Sequence, residues 1–178
     1  MKRYEGLFIL ETTGKEEGLK DTIDKISAEI TSAGGKVETV QKMDKRNFSR
    51  VADKKHNSGQ YVNVIFESNP SAIDNLAADF PNLTIIAAHP GWPWTEEMIA
   101  VALHKGNVYW ELSGWAPKYF PDSVKRDARG RLQDKVMFGS DYPSIPYERL
   151  FREWHALDYS DAIMEKLFHQ NAERVLGL

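Results

Sequence analysis

The sequence predicts a mixed α/β fold, an α+β hybrid built on one sheet of six strands with flanking helices. Three observations carry this. Residues 1–88 read in the order strand, helix, strand, strand, helix, strand. Leu83 to Ala88 is a continuous apolar run rich in β-branched residues, the pattern of a strand buried on both faces, and His89-Pro90-Gly91 stops it. From Trp94 onward helices alternate with short strands, which indicates parallel βαβ units.

Length and composition narrow the class. At 178 residues the chain holds one domain, or two small ones. Hydrophobic residues at 42% and charged residues at 28% are a normal balance for a protein with a core. A net charge of −3 argues against a dedicated nucleic-acid binder, although Lys42 to His56 is locally basic. The absence of cysteine excludes disulfides and thiolate metal sites. No signal peptide and no apolar run of membrane length are apparent, so a soluble cytoplasmic protein with no membrane partner is expected.

Tyr4 to Leu10 is the first strand. Thr12 or Thr13 offers an N-cap, Glu16 and Glu17 suit a first turn, and Leu19, Ile23, Ile26 and Ile30 place one apolar stripe on a helix over about 15–33. Gly34-Gly35 ends it. Lys36 to Arg50 is a long polar strand, Asn57-Ser58-Gly59 a turn, and Gln60 to Glu67 the returning strand of a hairpin. Asn69-Pro70 opens a second helix with Ile73, Leu76 and Ala77 on its buried side. This order is that of the split βαβ, or ferredoxin-like, unit. Its fourth strand lies at an edge with free backbone groups, where two further strands can add in parallel. Beyond it, Thr95 caps a helix to about Lys105, with Met98, Ile99 and Leu103 at apolar spacing. Asn107 to Leu112 and Lys135 to Phe138 are strands, and helices span about 122–132, 147–156 and 160–176. Two separate small domains are the alternative arrangement.

The segments KRYEGLFIL, GGKV and KRNFSRVADKKHNSGQYVNVIFES resemble bacterial small-subunit ribosomal protein number six, over about residues 2–76. That resemblance implies a ferredoxin-like fold, contact with ribosomal RNA and a ribosomal partner. AADFPNLTIIAAHPGWPW, NVYWELSG, DKVMFGSDYP and NAERVLGL resemble the last portion of the amidohydrolase-related family over about 77–178. Members of that family, aminocarboxymuconate-semialdehyde decarboxylase among them, are metal-dependent (β/α)₈ barrels. The expected layout is therefore a ribosomal-protein-like unit over 1–88 and a partial barrel over 77–178, sharing the strand 83–88.

His89 and Asp141 are the candidate catalytic and metal-ligating residues. Each ends a parallel strand, where open and closed α/β folds place chemistry. By resemblance, Asp141 matches a metal-ligating aspartate and His89 an acid–base or ligating histidine. A catalytic zinc takes three protein ligands, and the family's His-x-His pair occurs nowhere in this chain. His56 lies beside a hairpin turn, while His104, His155 and His169 fall on helices. The set is incomplete: no cofactor is expected, and zinc or another divalent metal would bind only weakly. Trp92, Trp94, Trp110 and Trp115 read as packing for the following helices rather than as a stacking platform.

The basic hairpin Lys42–Lys55 is the other candidate. Lys45, Arg46, Arg50, Lys54 and Lys55 could contact RNA phosphates. The sequence thus predicts a recombined or engineered chain with no complete active site and no evolved activity. Residual ribosomal RNA binding, or metal-dependent hydrolysis or decarboxylation using His89 and Asp141, are the alternatives. The outermost parallel strand is a candidate homodimer edge.

Overall fold

A computed structural model describes residues 2–10, 16–47, 57–69 and 71–177, and places nearly every expected element. The chain divides into two units, Met1–Asp79 and Phe80–Gly177. In the first, β1 (Lys2–Leu10), α1 (Glu16–Ser32), β2 (Lys36–Asn47), β3 (Ser58–Ser68) and α2 (Ser71–Asp79) follow in order. The strands form an antiparallel sheet with β3 between β1 and β2. Register puts Tyr4, Phe8 and Leu10 on the same face as Val62, Val64 and Phe66. The α1 stripe of Leu19, Ile23, Ile26 and Ile30 packs there. Gly34, at φ 82, supplies the left-handed turn after α1, and the Gly35 amide donates to the Ile30 carbonyl at 2.8 Å. The N-cap candidates Thr12 and Thr13, and Pro70, lie outside the described residues.

The second unit holds β4 (Ile85–Ala88), α3 (Thr95–His104), β5 (Val108–Glu111), a 3₁₀ turn (Pro117–Tyr119), α4 (Asp122–Ala128), β6 (Val136–Met137) and α5 (Tyr147–His155). It ends in α6 (Asp161–Glu165), a π turn (Lys166–Gln170) and α7 (Asn171–Leu176). Its three strands are parallel, in the order β4-β5-β6. Ala87, Trp110 and Val136 are in register on one face and belong to a core that takes in Ile99, Ala102, Val124, Leu132, Trp154 and Leu167.

Two expectations about this sheet are corrected. The six strands do not form one mixed sheet: they form two of three strands, with β4 laddered to β5 and β1 to β3. A strand of only four residues, two of them alanines, commits its ladder to β5 and offers little cross-strand side-chain area to a nine-residue β1. Nor is the run Leu83 to Ala88 buried on both faces, since Leu83 and Ile86 are 40% and 41% exposed. Only the helix-covered face of this parallel sheet takes in β4's side chains. Thr95, expected as a cap, is the first helical residue; the cap position is Trp94, and the Thr95 hydroxyl is buried with no hydrogen-bond partner. Leu103 is exposed rather than packed.

The outer side of β6 is closed by the C-terminal helix. In the π turn the Asn171 amide bonds the Lys166 carbonyl, five residues back. It is then not available to Leu167, whose carbonyl accepts the Phe138 amide at 2.8 Å. The buried Asn171 side chain donates to the carbonyls of Gln133 and Val136, at 2.8 and 2.7 Å. Backbone acceptors beside a two-residue strand are thereby satisfied without a further strand.

Buried charge is also handled locally. The Asp127 carboxylate, 1% exposed, accepts Arg131 Nε at 2.7 Å and Arg126 Nη2 at 2.9 Å. The Arg131 hydrogen bond, helped by Arg126, holds this carboxyl below its usual range against the upward push of burial. A lowered folded-state pKa stabilises the fold above the ordinary aspartate range and is lost as pH falls through the lower folded value. Asp127→Asn is expected to cost about 1–3 kcal/mol at neutral pH. In urea denaturation the gap to wild type narrows progressively as pH drops below about 4; a gap independent of pH contradicts the assignment.

Candidate functional site

Three strand ends of the second unit converge on one cluster. The β4 strand ends on Ala88, and His89 turns the chain at φ 66, in the left-handed region that non-glycine residues seldom occupy. Its carbonyl accepts the indole Nε1–H of fully buried Trp110 at 2.8 Å, while the imidazole itself is exposed. Glu111 ends β5 between two fully buried residues, Trp110 and Leu112. Ser113 follows, buried, and its Oγ donates to Glu111 Oε2 at 2.8 Å and lies 3.1 Å from His89 Nδ1. Past β6, Gly139 and Ser140 lead to Asp141, exposed and also left-handed at φ 52.

Two glycines make room for this cluster. A Cβ on Gly114, already at φ 76, would lie 2.3 Å from His89 Nδ1. One on Gly139 would fall 1.3 Å from Glu111 Oε1. The imidazole and the carboxylate therefore rest directly against main chain. Burial pushes the Glu111 carboxyl up; the Ser113 hydroxyl and then His89 pull it down, and the charge of Asp141 adds to the upward push. His89 and Asp141 both act electrostatically on Glu111, a residue that the sequence reading did not single out. Its signal was there in NVYWELSG: one carboxylate among apolar neighbours at the carboxyl end of a buried strand.

The donor set does not fit a catalytic zinc. Among the described residues no three His, Asp or Glu side chains gather to hold a metal ion. Ser113 also takes up one of the two ring nitrogens of His89. The remaining histidines stay apart: His104, His155 and His169 are exposed on or beside helices, with His169 Nδ1 3.5 Å from Glu173. His56 lies outside the described residues. Of the tryptophans, Trp110 and Trp115 pack against the core as expected, but Trp92 and Trp94 are 65% and 43% exposed.

The basic candidates are placed in part. Lys42, Lys45 and Arg46 are exposed on β2, with Lys45 opposite Gln60 and Arg46 opposite Gly59. Pairing shifts register between Lys42 and Lys45, where the Gln60 side chain donates to the Met43 carbonyl. Being consecutive, Lys45 and Arg46 face opposite sides of the sheet. Arg50, Lys54 and Lys55 lie outside the described residues.

By fold and site the chain is a fusion: an antiparallel α+β unit with a basic strand, and a parallel βα-repeat unit with polar groups at its strand ends. The family model for amidohydrolase matches residues 49–178, and that for ribosomal protein S6 matches residues 3–82. Small ribosomal subunit protein bS6 of Clostridium acetobutylicum is 39% identical over 79 residues, 43% of this chain and 82% of that protein. Its counterpart in Campylobacter curvus is 36% identical over 131 residues, 72% of this chain and 83% of that one. An uncharacterized TIM-barrel protein from Bordetella bronchiseptica superposes with a TM-score of 0.56 at 34% identity, covering 61% of this chain. The chain spans 39% of that barrel's length. This chain belongs to the ribosomal protein S6 family in its N-terminal part and to the amidohydrolase family in its C-terminal part. The two matches overlap at residues 49–82, a wider junction than the boundary near residues 76–77 at which the two sets of motifs meet. No helix among the described residues is long and apolar enough to cross a membrane.

Proposed function

We propose that the chain is a recombination of these two ancestries whose amidohydrolase part carries out no metal-assisted hydrolysis or decarboxylation. The observation that supports this is the make-up of the strand-end cluster. His89, Glu111 and Asp141 stand at the right ends of adjacent strands, yet among the described residues they do not gather as a three-ligand set. The barrel strands that supply the other ligands in the family have no counterpart motif in this sequence. His89 is then an inherited residue held by Trp110 and Ser113, and Asp141 an inherited residue left exposed at its strand end.

Zinc titration by calorimetry tests this. No binding tighter than about millimolar is expected, for wild type and His89→Ala alike. A stoichiometric micromolar isotherm that His89→Ala abolishes overturns it.

A second reading concerns the N-terminal part, whose relatives are small ribosomal subunit proteins. Lys45 and Arg46 are exposed on β2, one on each face of the strand, so each is available to a separate RNA phosphate. On this reading RNA binds weakly and without sequence preference. Lys45→Glu/Arg46→Glu lowers the salt slope of binding in a mobility-shift assay by about two; an unchanged slope rules these residues out.

A further inference from the structure

The hydrogen bonds around Ser113 assign the atoms of His89. A serine hydroxyl carries one proton. Ser113 Oγ gives it to Glu111 Oε2 at 2.8 Å, and toward His89 Nδ1, 3.1 Å away, it has only lone pairs left. A neutral imidazole bears its proton on one nitrogen alone, chosen by the partner of the other. Nδ1 must be the donor here, and Nε2 then carries a bare lone pair. We propose that Ser113 and Glu111 are positioning residues that fix exposed His89 as the Nδ1–H tautomer, which leaves Nε2 as the ring's lone-pair acceptor.

The surroundings leave the ring little freedom to escape this arrangement. The His89 carbonyl is tied to Trp110, its backbone is held left-handed, and its ring lies on the Cα of Gly114, where a side chain would collide with it. A flipped ring would set a carbon against the Ser113 hydroxyl and forfeit the hydrogen bond. Glu111 acts through Ser113: without the carboxylate, the hydroxyl is free to turn and donate to Nδ1, which reverses the tautomer. The assignment is independent of metal affinity, because it concerns the protonation of a metal-free ring.

Long-range ¹H–¹⁵N NMR of the imidazole, recorded at mildly alkaline pH, reads the tautomer directly. Wild type is expected to show Nδ1–H. Ser113→Ala and Glu111→Ala shift His89 toward the Nε2–H form ordinary for a free side chain, and Ser113→Thr, which keeps the hydroxyl, retains Nδ1–H. A wild-type Nε2–H pattern overturns the proposal, as does a full Nδ1–H pattern in Ser113→Ala. Should Glu111→Ala fail to fold, the wild-type spectrum and the Ser113 pair decide.

Discussion

The hydrogen bond from the Trp110 indole to the His89 carbonyl joins the core of the second unit to its strand-end cluster. Trp110 is fully buried and sits at the middle of the sheet, in register with Ala87 on one side and Val136 on the other. Its apolar body anchors the helices while its one polar atom reaches the residue that ends β4. A left-handed histidine is strained and persists only where neighbours hold it. Here they do so from both sides: the indole fixes its backbone and Ser113 fixes its ring.

The same unit shows how part of a barrel can be closed off. In a full parallel barrel both faces of each strand are covered. Here Ile86 on the opposite face is 41% exposed, and the burial that holds the unit together comes from the helix side, where Trp110, Leu132, Val136 and Trp154 leave almost no surface to water. Aliphatic side chains buried to that extent each contribute about 1.5–3 kcal/mol. At the far edge, Asn171 and the π turn take the backbone groups that a next strand would have used.

Much of this was legible in the sequence, because periodicity and chain breakers report local structure. The stripe of Leu19, Ile23, Ile26 and Ile30 marked α1, and His89-Pro90-Gly91 and Ser140-Asp141-Tyr142-Pro143 marked two strand ends on which the candidate residues stand. What was not legible depends on tertiary pairing. An apolar run such as Leu83 to Ala88 says that a strand prefers burial, not which strand it pairs with or whether both faces are covered. The role of Ser113 was hidden for a similar reason. A serine three residues past Trp110 carries no pattern until β4 and β5 align and bring His89 within 3.1 Å of it.

Exchange of the five tryptophan indole protons with deuterium tests the central contact most directly. Trp110 Nε1–H, buried and bonded to His89, is expected to exchange only through unfolding of its unit, at least about a thousandfold slower than that of Trp92, which is 65% exposed. If the Trp110 indole proton exchanges as fast as that of Trp92, the bond to His89 does not hold the strand ends and this account of the site is wrong.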